Sequence, residues 1–138
     1  MARRYVPRIS HINCHMVCES CAPEIADLID RLAREYGLNI DPHERGYESI
    51  SLWGRNDTTA ETRIASAVKT LQNLKPGKYF FIDHPGYDTP EMRAIWHIGY
   101  ENVAADRDGV TKVFTSSKVK DVISERNIKL VSYRDLTK

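Results

Sequence analysis

The sequence predicts an α/β fold with a mainly parallel sheet, and two observations carry that expectation. Short apolar runs bounded by turn residues alternate with amphipathic segments of about 12 to 18 residues, the order produced when helices cross over between parallel strands. The chain has 138 residues, which is enough to bury one core without disulfides or metal. A single domain over 1-138 is therefore expected.

Each element has its own signal. Arg8 to Met16 reads as a strand. The segment "APEIADLIDRLAREYG" follows with Ile25, Leu28, Ile29, Leu32 and Tyr36 on one helical stripe and Gly37 as its stop. In "DTTAETRIASAVKTLQNLKPG", Thr58 and Glu61 have capping-box spacing, Ile64, Val68 and Leu71 form the stripe, and Pro76-Gly77 ends the helix. "KYFFID" is an apolar run of the kind found in strands covered on both faces. Thr89-Pro90-Glu91 opens a helix with Pro in its first turn, where the missing N–H costs nothing. "TSSKVKDVISERN" places Val119, Val122 and Ile123 at helical spacing, and "IKLVSY" closes the chain as a strand. Ligands of such folds gather at the carboxyl ends of strands, which here are the stretch after the first strand and "FIDHPGYDTPE".

Charge and composition exclude several classes. Twenty Lys and Arg against 19 Asp and Glu leave a net charge of +1, too little basic field to draw nucleic acid without sequence preference. No window approaches the roughly 18 apolar residues of a membrane span, and "MARRYVPR" is followed by polar residues where an export signal needs an apolar run. No nucleic acid, no membrane and a cytoplasmic setting with reduced thiols are the expectations.

The three cysteines, Cys14, Cys18 and Cys21, are spaced C-x3-C-x2-C. That spacing admits a [4Fe-4S] site of the kind that cleaves S-adenosylmethionine. It also admits zinc held by Cys18 and Cys21 with His11 or His15, a redox pair of Cys18 and Cys21 ahead of a helix, or plain apolar filling. If Arg8 to Met16 is a strand, alternation puts His11, Asn13 and His15 on one face and Ile12, Cys14 and Met16 on the other. His84 stands in Asp83-His84-Pro85-Gly86, a turn that projects an imidazole suited to proton transfer.

The segments "ISHINCHM", "LAREYGL", "LKPGKYFFIDHPG", "DTPEMRAI", "TSSKVKDVI" and "KLVSYRDL", in that order, resemble the YdjC-like carbohydrate deacetylases, which include chitooligosaccharide deacetylases. The resemblance runs from Pro7 to Leu136. It implies a (β/α) half-barrel with mainly parallel strands, like the C-terminal half of a distorted TIM-like deacetylase barrel. It implies a hydrolase that removes N-acetyl groups from amino-sugar oligosaccharides with a divalent metal, Mg or Zn. His15 aligns with a metal ligand, His11 with the histidine that opens the motif, and His84 with the general acid. His11 and Asn13 would act in the second shell or on substrate. Asn13 stands where the family commonly has Asp, and Val17 where it has a further histidine.

Relatives of that kind are about twice as long, so the resemblance implies a missing N-terminal half, or a homo-oligomer partner, to supply the remaining ligands. The alternatives are a non-catalytic remnant that binds a partner and the iron-sulfur protein. Trp53 and Trp96 read as buried aromatics before sugar platforms. Asp88 and Glu91 suit either a cation or the dipole of a helix start.

Overall fold

The computed structural model describes residues 4–6 and 9–137, and at residues 15, 16 and 137 the backbone alone. Its regular structure is mostly helical: α1 (Pro23–Glu35), α2 (Ala60–Gln72), α3 (Pro90–Arg93), α4 (Val103–Thr115) and α5 (Ser117–Glu125). 3-10 turns lie at His15–Ser20, His43–Arg45 and Tyr133–Thr137. Among the described residues the one sheet has two short parallel strands, β1 (Glu48–Ser49) and β2 (Tyr79–Phe80). The chain divides into two compact units, one of residues up to Gly46 with the segment from Leu130 onward, the other Tyr47–Lys129.

The second unit is a β1-α2-β2 crossover on which α4 and α5 are packed. Glu48 N–H donates to Lys78 O at 2.9 Å and Ile50 N–H to Phe80 O at 3.0 Å, so the pairing takes in Lys78 just before β2 and Ile50 just after β1. Thr59 caps α2: its hydroxyl accepts from Thr62 N–H, and the Thr62 hydroxyl accepts from Thr59 N–H. The capping box thus sits one residue later than Thr58 and Glu61 predict. Leu52, Ala67, Leu71, Val113, Val119 and Val122 form the core, with Ile64, Val68 and Ile123 packed partly buried against it. The predicted stripes of α2 and α5 are the ones used.

Helix α4 is the element that local patterning misses. "NVAADRDGVTKVFT" puts a glycine and three charged residues in its middle, and glycine disfavours a helix interior by about 1 kcal/mol. Packing explains the glycine. A Cβ at Gly109 would lie 3.1 Å from Arg63 Nη1, so the absent side chain makes room for a guanidinium. Arg63 is buried and donates to Asp57 O and Asp106 O, each at 2.8 Å, and to the Asp106 carboxylate. Asp106 also accepts from Tyr100 Oη at 2.5 Å, and Trp53 lies over the Arg63 guanidinium at 5.7 Å. Trp53 therefore serves packing, as expected, whereas Trp96 is exposed.

The half-barrel does not form. Ile9 to Cys14 pairs with no strand, "KYFFID" contributes only Tyr79–Phe80, and Ile128 to Ser132 is irregular before the last 3-10 turn. Arg8, where the first strand was expected to begin, lies outside the described residues. The physical reason lies in where apolar surface is covered. α2, α4 and α5 bury one another, so helix-on-helix packing closes the core and the strands need not propagate, while Ile82, one residue past the Phe pair, is 62% exposed. The YdjC-like deacetylase resemblance implies a ring of parallel strand ends on which metal, base and acid converge, and two paired residues per strand provide no such ring. The carbohydrate deacetylase hydrolase, its half-barrel remnant and the partial-barrel iron-sulfur enzyme are all overturned with the barrel.

In the first unit, α1 ends as predicted. Gly37 takes φ 65°, open to glycine without strain, and Gly37 N–H and Leu38 N–H close on Arg34 O and Ala33 O. Its burial differs from the expectation: Ala33 is buried, Ile29 is half-buried, and Ile25, Leu28, Leu32 and Tyr36 are exposed. Arg45 Nη1 donates to Leu136 O at 2.7 Å, which ties the C-terminal segment to this unit. Among the described residues no helix is long and apolar enough to cross a membrane.

Two predictions follow from the second unit. Asp106→Ala leaves Arg63 buried without its counter-charge and is expected to cost about 2 to 3 kcal/mol by urea unfolding, less than a fully buried pair because Asp106 keeps some solvent. Burial, the largest influence on Asp106, pushes its carboxyl up, but hydrogen bonds from Tyr100 and Arg63 and the charges of Arg63 and Arg107 outweigh it and hold the pKa below the ordinary 3.8. That contribution is complete above 3.8 and lost as pH falls through the folded value. Burial, then the bond to Asp106, pushes Tyr100 from 10.0 up to about 12, so stability also declines as pH rises across that interval. Urea midpoints measured against pH should fall at both ends in the wild type, and Tyr100→Phe should remove the alkaline fall.

The second concerns the end of α5. Asn127 has φ 51° there, and Ile128 N–H returns to Ile123 O at 2.9 Å. Asn127→Ala should cost about 1 kcal/mol because alanine lacks asparagine's tolerance of the left-handed region. Asn127→Gly should cost nothing measurable in the same unfolding assay.

Candidate metal centre

The opening stretch reaches its chemistry through a tight turn. Cys14 is the last extended residue, at φ −81° and ψ 121°, and the chain then coils through His15–Ser20. Ser20 Oγ donates to Val17 O at 2.9 Å and Cys21 N–H to Cys18 O at 3.1 Å, so the turn satisfies its own carbonyls before α1 begins. Pro23 stands at the first turn of α1, where its missing N–H is no loss.

Coiling changes which residues meet. In a strand, residues four apart lie about 13 Å from each other; here the Cα atoms of Cys14 and Cys18 are 5.5 Å apart and the two sulfurs form a disulfide. The expectation of three reduced thiols is corrected accordingly: Cys14 and Cys18 are bonded, and Cys21 is free and exposed. The filler reading also fails, because none of the three is buried. Cys14, Cys18 and Glu19 bring one ligand atom each to within 4.8 Å of one another, a group able to hold a metal ion. Cys21 is not part of that group, and Cys18 is bonded to Cys14 instead of standing with Cys21 as a pair of thiolates.

His11 and Asn13 are the members of the predicted histidine face whose side chains are described. His11 is half-buried, with Nδ1 3.0 Å from Ser10 Oγ and its ring stacked on Tyr133 at 3.8 Å and 12°. Burial lowers its pKa from the ordinary 6.5 and so favours the neutral ring. Asn13 is exposed on the wall of a cavity of about 520 Å³, beside Ile12, Cys14, Glu19 and Ile40. His15 opens the 3-10 turn with its backbone, and its side chain lies outside the described residues.

His84 belongs to the other unit and is exposed. Its N–H donates to Asp83 Oδ1 at 2.7 Å, and its turn is seated on α4 by Gly86, whose N–H donates to Arg107 O and whose carbonyl accepts from Thr111 Oγ1 at 2.7 Å. Asp88 pairs with Arg93 at 2.6 Å instead of facing a cation.

The sequence sets Cys14 beside Cys18 only in the three-thiolate iron reading, and on a strand the two are far apart; Glu19 carries no ligand signal of its own. The missed signal was local: Cys14 to Glu19 contains no apolar alternation beyond Met16-Val17, so nothing held the segment extended past Cys14. No protein-family model and no curated protein matches this chain.

Proposed function

We propose that this protein is a zinc-binding protein, its ion held by the Cys14 and Cys18 thiolates and the Glu19 carboxylate. The observation that carries the reading is the approach of those three ligand atoms to within 4.8 Å. Zinc ligand bonds of about 2.3 Å to sulfur and 2.0–2.2 Å to oxygen place the ligand atoms of a tetrahedral site roughly 3.3–3.8 Å apart. Reduction of the Cys14–Cys18 bond frees the two sulfurs to part to that spacing.

Chemistry favours zinc over magnesium. Magnesium takes an octahedral shell of hard oxygens, and this group offers one carboxylate beside two soft sulfurs. Three protein ligands leave a fourth position for water or a small donor, on the side of the cavity that Cys14 and Glu19 line. The ion requires both sulfurs as thiolates, so the ion-bearing form is the reduced one. A reducing cytoplasm would hold them so.

Reduced protein is expected to bind one zinc ion per chain in competition with a chromophoric chelator, and cobalt substituted at the site to show thiolate-to-metal charge transfer. Cys14→Ser or Cys18→Ser should abolish binding, while Cys21→Ser leaves it within about threefold. Glu19→Gln should weaken it at least tenfold, since losing even an outer-shell partner costs about 10- to 100-fold. Magnesium in large excess should not displace the zinc. Stoichiometric binding that survives Cys14→Ser would end the proposal.

A further inference from the structure

We infer that the Cys14–Cys18 disulfide is the closed state of a redox-gated ion site, opened by a dithiol reductant; the inference rests on the zinc reading above. The argument begins with exclusivity. The two sulfurs bonded to each other are the two that the ion requires, and a disulfide sulfur carries no thiolate charge with which to ligate. Oxidised and zinc-bound forms are therefore alternative states of one turn.

Geometry favours exchange between them. The bond closes a loop of only five residues, and neither sulfur-bearing residue is buried, so an external thiolate has a path to the bond. Inside that loop Val17 is held at φ 54°. A β-branched residue occupies the left-handed region at a cost of roughly 1–2 kcal/mol, so opening the loop releases a backbone conformation that valine disfavours. Glu19, the oxygen ligand, follows Cys18 directly and takes no part in the disulfide.

The reaction balances without any other oxidant or reductant. One thiolate of the dithiol attacks Cys18 Sγ, forming a mixed disulfide and releasing the Cys14 thiolate. The second thiol, deprotonated, displaces the Cys18 thiolate and leaves the reductant as its cyclic disulfide. Two electrons pass to Cys14 and Cys18, the two protons of the dithiol go to solvent, and zinc joins the two thiolates and Glu19. Reversal ejects the ion.

Mutual exclusion has a measurable consequence. The full chain is equilibrated in dithiothreitol buffers of graded reduced-to-oxidised ratio, with free zinc clamped by a metal buffer, and the Cys14–Cys18 thiols are counted by alkylation and mass. At free zinc 100 times the dissociation constant of the reduced site, the ratio giving half-reduction is expected to fall about 100-fold. Cys21→Ser should keep that shift, Glu19→Gln should shrink it by the factor by which it weakens zinc binding, and magnesium should produce none. Val17→Gly should raise the ratio needed for half-reduction by severalfold, because the closed loop is then relieved.

Reduced protein that binds zinc through Cys14 and Cys18 but forms no Cys14–Cys18 disulfide at any dithiothreitol ratio would overturn the gating and leave the zinc reading standing. Reduced protein that binds no zinc in the chelator assay would overturn both.

Discussion

The second unit is organised by one buried cation. Arg63 crosses from α2 to α4, gives its three nitrogen donors to Asp57 and Asp106, and lies beneath Trp53. A guanidinium taken out of water must find every partner or the fold loses several kcal/mol, and each partner constrains an element. Asp106 fixes the rotation of α4, Tyr100 approaches to hold Asp106, and Gly109 is left without a side chain so that the guanidinium fits. The apolar contacts of Ala67, Leu71, Val113, Val119 and Val122 then complete a core that this ionic contact has placed in register.

That arrangement accounts for what local patterning could and could not reveal. Signals confined to one turn of chain were legible: Gly37 stopping α1, Pro90 opening α3, and the Val119-Val122 spacing of α5 each depend on neighbours within about four residues. Helix α4 was not, because Asp106 and Gly109 weaken its helical pattern and are explained only by Arg63, 43 and 46 positions away in the chain. Strands failed for a related reason. An apolar run such as "KYFFID" satisfies the requirement for burial in a sheet or against helices alike, and helices covered the core first.

At the candidate site the failure was one of period. Alternation groups every second residue and sets His11, Asn13 and His15 together, but a coiled segment groups residues three and four apart. The change of period at Cys14 brings Cys14, Cys18 and Glu19 together. His11 then finds Ser10 and Tyr133, ordinary partners for a half-buried imidazole.

The first unit shows why such a group matters beyond its ligand chemistry. Its buried apolar residues among those described are Ala33, Pro42 and Leu136, while α1 leaves Ile25, Leu28 and Leu32 exposed. So small a core cannot offset much chain entropy, and units of this kind depend on a cross-link. A disulfide closing five residues constrains the unfolded chain by only about 2 kcal/mol on the loop-entropy account. An ion gripped by two thiolates and a carboxylate contributes its binding free energy to the folded state, which for structural zinc sites reaches about 10 kcal/mol or more. On the zinc reading, exchange of the disulfide for the ion would replace the weaker staple with the stronger one and couple the order of this unit to the state of two sulfurs.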